Sequence, residues 1–202
     1  MTQKPKIRVG IVGEHPNNDA QALKNLLQPA AAMNVEFVVM SKNSRGGQLD
    51  SAKFLNVLRA EFRAEKPKHI ILVRDLDGPV SDPEKLRERD SWFEKANKEV
   101  ENCGIFFLAI HEMEALVLAD IAGFNKFYGL KTKFAKHPMS VEKPKEFLQK
   151  LTEKAQKGKY SENDAPIIFQ NLNLKTVAKS HSGDRSFAQF AQKLVDGKLI
   201  LE

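Results

Sequence analysis

Two aspartates separated by one residue, Asp75 and Asp77, come directly after a short apolar run, residues 70–73. A run of four apolar residues that is rich in β-branched side chains and bounded by turn formers is typical of a strand buried on both faces. Residues two apart in an extended chain point the same way, so both carboxylates can reach one point in space. Carboxylates that close repel each other unless a cation or a proton lies between them. The motif therefore predicts a divalent-metal site, and the alternative is an Asp-rich turn that caps the next helix.

A third carboxylate, Glu14, follows the first apolar run, residues 7–12. In open α/β sheets the functional site lies beyond the carboxyl ends of the strands. If the first and third strands are neighbours, Glu14 comes to the same edge as Asp75 and Asp77. Three carboxylates plus water match the octahedral oxygen coordination of Mg²⁺. An ion held there can polarise a phosphoryl oxygen and lower the pKa of an attacking water.

The elements that must position these residues alternate between strands and helices up to about residue 123. Strands are predicted at residues 7–12, 35–40, 70–73 and 104–110, with amphipathic helices between them. This alternation predicts an α/β fold with a mostly parallel four-stranded sheet flanked by helices. Beyond it, short helices are predicted at residues 140–157, 165–172, 174–179 and 186–195. We expect a core of residues 1–123 and a helical C-terminal region, residues 124–202, packed on that core.

Composition is ordinary for a globular protein, with a basic balance of charge. The chain is 42% apolar and 29% charged, and its formal net charge of +6 suits a polyanionic partner, although solubility alone can explain it. No run approaches the roughly 18 apolar residues of a membrane span, and no signal peptide is expected. The single cysteine, Cys103, excludes an internal disulfide and a cysteine-built zinc site. Together these features predict a cytoplasmic protein without a membrane partner.

The order of a strand followed by Glu and a later strand followed by Asp-x-Asp resembles the TOPRIM domain. That domain is shared by topoisomerases, bacterial primases, small recombination proteins and the overcoming-lysogenisation-defect nucleases. Residues 110–116, Ile-His-Glu-Met-Glu-Ala-Leu, with Ala119 and Asp120, are similar to uncharacterised bacterial TOPRIM-like proteins that carry a His-Glu-aromatic-Glu-Ala-Leu motif. Residues 173–177 resemble the C-terminal end of the same group, so the resemblance spans most of the chain.

The resemblance implies that Glu14 is the acid/base glutamate and that Asp75 and Asp77 are the metal-binding pair. These three are the candidate catalytic residues and metal ligands, with Mg²⁺ or Mn²⁺ as the expected ion. TOPRIM domains usually place Gly after the glutamate, whereas His15 stands there in this chain. No tyrosine lies where a topoisomerase would need one, and no zinc-binding cysteines suggest a primase. Cleavage or binding of nucleic acid is the implied activity.

Two further glutamates, Glu112 and Glu114, stand where a helix is predicted to start after the fourth strand. Glu112 is the candidate for a second-metal ligand, because it is nearer the strand end. The alternative is a favourable charge at a helix N-terminus, worth about 0.3–1 kcal/mol. Glu114 is less favoured and can instead face the C-terminal helices. His111 is predicted to hydrogen-bond across the strand end rather than to act as a general base.

Basic residues complete the prediction. Arg74 points away from Asp75 across the strand, so its burial would require a partner. His15 is a candidate phosphate contact. Candidates for binding a phosphodiester backbone are Lys131, Lys133, Lys136 and Arg185, and the alternative for any single lysine is a solvated surface.

Two classes of function are consistent with these features. The first is a Mg²⁺-dependent TOPRIM-type nuclease or phosphodiesterase acting on nucleic acid, for which the resemblance implies a role in bacterial defence. The alternative is a non-catalytic TOPRIM-like binding module that works with a separate ATPase, since this chain has no Gly-x-x-x-x-Gly-Lys-Ser/Thr phosphate loop. A small-nucleotide phosphatase is a third and weaker interpretation, because such enzymes usually place the Asp pair after the first strand.

Overall fold

Four parallel strands in the order β2-β1-β3-β4 form the sheet at the centre of the fold. The computed structural model describes residues 5–201, in which the strands are β1 (Ile7–Val12), β2 (Val35–Val39), β3 (His69–Asp75) and β4 (Gly104–Ala109). The predicted α/β fold is confirmed, and the described sheet is parallel throughout. Residues 1–4, to which the signal-peptide expectation refers, and residue 202, the predicted end of the C-terminal region, lie outside the described residues.

Helices cover both faces of the sheet. They are α1 (Gln21–Leu27), α2 (Ala52–Glu65), α3 (Pro83–Glu99), α4 (Ala115–Ala119), α5 (Ile121–Tyr128), α6 (Pro144–Leu151), α7 (Ala165–Asn171), α8 (Leu174–Ser180) and α9 (Phe187–Asp196). A π-helical turn, Pro16–Ala20, leads into α1. The Asp82 side chain caps α3, whose first residue is Pro83, so this helix begins where its sequence predicts. Within residues 5–201 no helix is long and apolar enough to cross a membrane.

Two helices are shorter than their sequence patterns predict. The helix predicted at 140–157 is reduced to α6, because the Thr152 hydroxyl donates to the Leu148 carbonyl and accepts from the Tyr160 amide, which turns the chain back. The helix after β4 begins at Ala115 instead of His111. His111 has a φ of +61°, which is incompatible with a right-handed helix.

The sheet has two differently covered faces. Ile71 and Val73 of β3 belong to the hydrophobic cluster that contains α1 and the C-terminal helices. Ile70 and Leu72 belong to the cluster on the other face, which contains α2 and α3. Since the helices that follow β1 and β3 lie on opposite faces, the crevice between these strands is the topological switch point, where open α/β sheets bind ligands.

The C-terminal helices share their hydrophobic cluster with the sheet. The ring of Phe107 on β4 packs against Phe187 and Phe190 of α9, with centroid distances of 5.5 and 4.7 Å. A β-bridge between Ala31 and Ile200 joins the end of the chain to the segment before β2. Burial of these aromatic side chains attaches residues 130–201 to the α/β core.

One buried histidine should make stability depend on pH. His181 follows α8; its Nδ1 accepts a hydrogen bond from the Phe187 amide at 3.0 Å, and its Nε2 has no partner within residues 5–201. Burial lowers the pKa of His181 from 6.5 to about 4. Between these values the unfolded chain binds a proton that the native state does not, so stability falls as the pH falls. Because one pH unit in pKa is worth about 1.4 kcal/mol, we expect a loss of about 3 kcal/mol.

Urea unfolding of His181→Asn measures this effect, because Asn keeps an acceptor near the position of Nδ1 but does not titrate. Between about pH 7 and about pH 4.5, the wild-type free energy of unfolding should fall by about 2–3 kcal/mol more than that of the variant. His15→Asn removes an exposed imidazole and is the control. Parallel pH profiles for the wild type and His181→Asn would contradict the prediction.

Candidate functional site

Asp75, the last residue of β3, lies at the centre of an acidic group at the carboxyl edge of the sheet. Its Oδ1 accepts a hydrogen bond from the Met113 amide at 3.1 Å. Burial raises the pKa of Asp75 well above its usual value, and neighbouring carboxylates raise it further. In decreasing order of effect these neighbours are Asp19, Glu114, Glu14 and Asp77. Carboxylates from five positions along the chain are thus collected at the switch point.

Asp19 and Glu114 contribute more to this acidic group than the sequence indicates. Asp19 accepts a hydrogen bond from the His15 amide at 2.9 Å, and burial raises the pKa of Asp19 to about 7. Glu114 accepts from the Tyr160 hydroxyl at 3.0 Å, and burial raises its pKa to about 7 as well. In the sequence, Asp19 stands just before a helix with an apolar face, a position typical of a helix cap. No spacing rule indicates that the π-helical turn carries it back towards Asp75.

Glu14 lies on the other side of the sheet edge, against Arg74. The Arg74 side chain is only 3% exposed, and its Nε donates to Glu14 Oε1 at 2.6 Å. Its Nη1 and Nη2 donate to the Asp50 carboxylate at 3.0 and 3.3 Å, and its guanidinium lies 4.8 Å from the Trp92 ring centroid. Burial alone would lower the pKa of Arg74, but Asp50 and Glu14 together raise it. A buried Arg74 requires partners, and Glu14 and Asp50 are these partners. The ion pair with Arg74 in turn holds Glu14 in place.

Replacing Arg74 should affect both stability and the position of Glu14. Removing one partner of a fully buried ion pair costs about 3–5 kcal/mol, but Glu14 and Asp50 are partly solvated, so we expect about 2 kcal/mol for Arg74→Met. Arg74→Lys keeps the charge but cannot contact both carboxylates in the same way, so it should retain most of the stability and lose activity. Thermal unfolding and metal-dependent cleavage measure the two effects. Full activity of Arg74→Lys would exclude a positioning role.

Asp77 is directed differently from the sequence expectation. The extended conformation ends at Asp75, and Asp77 has a φ of +56°, so the alternation that would place both carboxylates on one point is broken. Asp77 Oδ2 instead accepts from Arg89 Nη2 at 2.8 Å, and Arg89 Nε donates to the Asp75 carbonyl at 2.7 Å. The Lys85 ammonium donates to the Asp77 carbonyl. Asp77 is thus an exposed carboxylate fixed by α3.

The backbone at this edge is strained at two adjoining positions. His111, like Asp77, has a left-handed backbone conformation, which costs a residue with a Cβ about 1–3 kcal/mol. The Asp77 amide donates to the His111 carbonyl at 2.9 Å, and the His111 amide donates to the Gly78 carbonyl at 3.0 Å. The hydrogen bonding expected of His111 across the strand ends is therefore made by its main chain. Strain of this kind clusters at functional sites.

Glu112 caps a helix of the C-terminal region. Its Oε2 accepts from the Lys145 amide at 2.9 Å, in the first turn of α6. The Lys145 ammonium pairs with Glu162 at 2.7 Å. The alternative given for Glu112, a charge at a helix N-terminus, is seen here, but the helix is α6 and not the one that follows β4. This contact holds α6 at the carboxyl edge.

The acidic group is not a closed metal cage. Within residues 5–201, no three His, Cys, Asp or Glu side chains stand close enough together to hold a metal ion. Mg²⁺, however, usually keeps several waters and is held by one or two carboxylates together with substrate phosphates. One or two carboxylate ligands at the half-buried Asp75 fit this kind of ion, and carboxylates without nitrogen or sulfur ligands do not fit a structural zinc site.

The predicted nucleic-acid-binding residues divide into two groups. Lys131, Lys133 and Lys136 are exposed in the loop between α5 and α6, and no ion pair within residues 5–201 includes them. Met139, just beyond this loop, packs in the small cluster that contains Leu76, so the loop approaches the acidic edge. Arg185 instead makes a bidentate ion pair with Asp90 of α3, at 2.7 and 2.9 Å. That contact already uses its guanidinium.

Comparison with known proteins gives a family without a described activity. No curated protein and no solved structure matches the chain significantly. The profile of a family described as "Domain of unknown function (DUF4276)" matches residues 18–195. This span includes Asp19, Asp75, Asp77, Glu112 and Glu114 but not Glu14. Because this match covers most of the sequence, the chain belongs to the DUF4276 family.

Proposed function

We propose that this protein is a Mg²⁺- or Mn²⁺-dependent nuclease or phosphodiesterase of TOPRIM type that acts on nucleic acid in the cytoplasm. One observation carries the proposal: Asp75, at the β1/β3 switch point, has carboxylates that follow β1, β3 and β4 as neighbours, and these raise its pKa. Keeping several of these carboxylates ionised at neutral pH calls for a cation, since otherwise protons relieve their repulsion.

The residue that would hold the ion is Asp75, together with one of its acidic neighbours Asp19, Glu114, Glu14 or Asp77, and waters would complete the coordination. When bound, Mg²⁺ or Mn²⁺ supplies Lewis-acid polarisation of a phosphoryl oxygen and lowers the pKa of a water. Glu112 is engaged at α6 and would take part only if its bond to the Lys145 amide opened. The negative charge of the group also repels a phosphodiester, and a cation bound there reduces that repulsion.

The remaining chemistry falls to side chains of this chain. Glu14, which Arg74 holds at 2.6 Å, accepts the proton of the attacking water in this proposal. Arg89 fixes Asp77 and the end of β3. The exposed lysines of the 131–136 loop bind the sugar–phosphate backbone, which they contact without reading sequence.

The test is cleavage of a mixed panel of single- and double-stranded DNA and RNA by the purified chain with Mg²⁺, Mn²⁺ or a chelator. We expect cleavage with either ion, none with chelator, and none by Asp75→Ala. Asp196→Asn, which removes an exposed carboxylate on α9, is the control and should cleave like the wild type. Cleavage that survives Asp75→Ala or chelation would refute the assignment.

A second candidate function is a non-catalytic TOPRIM-like binding module that works with a separate ATPase. It is favoured by the pairing of Glu14 and Asp77 with arginines, which leaves fewer carboxylates free to bind a metal. In that case the chain should bind nucleic acid but not cleave it, whichever metal ion is present. Asp75→Ala should bind nucleic acid as well as the wild type. Co-purification of an ATPase with the tagged chain would identify the partner.

A further inference from the structure

A small polar pocket lies beside the acidic group, on the side of the π-helical turn. Its volume is about 110 Å³, and its lining consists of His15, Pro16, Asn17, Asn18, Arg45 and Asn163. Five of these six residues carry hydrogen-bond donors, and none carries a carboxylate. Such a lining is suited to an anion with several acceptor oxygens.

The polar side chains of the pocket are not used by the protein. The hydrogen bonds that His15, Arg45 and Asn163 make involve only their main-chain groups. No ion pair within residues 5–201 includes Arg45. An arginine whose guanidinium is free, facing three carboxamides and an imidazole, offers a planar pair of donors that matches a phosphate.

The backbone holds the pocket in place before any ligand binds. The Gly46 amide donates to the Glu14 carbonyl at 2.9 Å, which fastens the Arg45 loop to the end of β1. The His15 amide bonds Asp19, and the Asn18 amide donates to the His15 carbonyl at 3.0 Å. The ion pair between Lys145 and Glu162 positions the segment that carries Asn163. The backbone that carries the donors is therefore ordered before binding, and only the side chains, Arg45 above all, lose conformational entropy when a ligand binds.

The position of the pocket connects it to the proposed reaction. His15 directly follows Glu14, and its amide donates to Asp19, the neighbouring carboxylate with the largest effect on Asp75, so the pocket adjoins the acidic group. We propose that the pocket binds a phosphate of the nucleic-acid strand that neighbours the phosphate at the acidic group, with Arg45 as the main contact. This inference rests on the proposed function, since it takes the strand as substrate.

Charge around the pocket selects a strand over free phosphate. Glu14 and Glu162 are compensated by Arg74 and Lys145, but Asp19 stands close by without an ion-pair partner within residues 5–201. A small free anion gains little net attraction there. A phosphate that is tethered to the next one along the strand has a high effective concentration at the pocket.

The test is the affinity of Arg45→Gln for a short single-stranded DNA and the matching RNA, with chelator present so that metal-dependent cleavage cannot occur. We expect Arg45→Gln to bind about tenfold more weakly and to lower the slope of log K against log [salt] by about 0.7, the value for one strand phosphate. Arg63→Gln makes the same change on the exposed far end of α2 and should bind like the wild type. A competition with inorganic phosphate should show at most weak displacement.

The outcomes separate this inference from the proposed function. Equal affinity of Arg45→Gln and Arg63→Gln, or no binding of either strand by the wild type, overturns the phosphate pocket. Strong competition by inorganic phosphate would show that the pocket binds the free ion, and would overturn the proposal that it binds a phosphate of a nucleic-acid strand. If the wild type fails to cleave with Mg²⁺ or Mn²⁺ while the Arg45 effect is present, the nuclease assignment fails and the pocket stands.

Discussion

Asp75→Asn is expected to abolish metal-dependent cleavage and to stabilise the metal-free protein. The substitution removes the central negative charge of the acidic group, so cleavage should fall by about a thousandfold or more. Asn keeps an acceptor for the Met113 amide, so the hydrogen bond at 3.1 Å can persist. Relief of carboxylate repulsion should raise the free energy of unfolding by about 1 kcal/mol, which is about 2–4 °C in melting temperature for a chain of this size.

The pH dependence of this effect has a definite sign. Burial raises the pKa values of Asp19 and Glu114 to about 7, from 3.8 and 4.5. Between about pH 4 and pH 7 the native state therefore binds protons that the unfolded chain has released, and this contribution to stability is lost as the pH rises. The gain from Asp75→Asn should be largest near neutral pH and small at about pH 5. The titration of His181 acts in the opposite direction but is common to both proteins.

Melting curves with and without Mg²⁺, from about pH 5 to about pH 8, measure both effects. At neutral pH, Mg²⁺ should raise the melting temperature of the wild type and not that of Asp75→Asn, because only the wild type gains a ligand. Asp196→Asn is the control and should respond to Mg²⁺ like the wild type. A large fall in the melting temperature of metal-free Asp75→Asn would show that this aspartate has a structural role at the end of β3.

The sequence contains enough local information to place the strands but not to orient every side chain at their ends. Apolar runs bounded by turn formers locate β1, β3 and β4, and period-two alternation places Arg74 opposite Asp75. Whether Glu14 faces Asp75 or Arg74 depends on the register of β1 against β3, in which Val12 lies opposite Leu72. That register is set by packing on both faces, and a single sequence does not show it.

The contacts that the sequence does not predict are long-range ones. Glu112 caps α6 through a residue 33 positions later in the chain. The sequence offers Asp50 or Ser51 as the start of α2; Ser51 caps the helix, and what the sequence does not predict is that Asp50 pairs with Arg74. In each case the residue type fits a local role, and tertiary packing decides which neighbour it meets.

A fragment of residues 1–129 is expected not to fold. All five residues of α4 are buried, so this short helix is surrounded by other parts of the protein. Some of these parts, among them α6 and α8, lie beyond residue 129. Phe107 on β4 would lose Phe187 and Phe190. Each large apolar side chain exposed in this way costs about 1.5–3 kcal/mol, and several together exceed the roughly 5–15 kcal/mol by which a domain is stable.

Near-UV circular dichroism and thermal unfolding distinguish the outcomes. The full chain should unfold cooperatively, and the fragment should be insoluble or lack a cooperative transition. Phe190→Ala in the full chain is a graded version of the same perturbation and should cost about 3–5 kcal/mol while the protein still folds. Co-expression of residues 130–202 should restore solubility, because the deleted helices complete the shared core. A soluble fragment 1–129 that unfolds cooperatively by itself would show that the helical region is a separable module, and its lysine loop would then have no structural tie to the acidic edge.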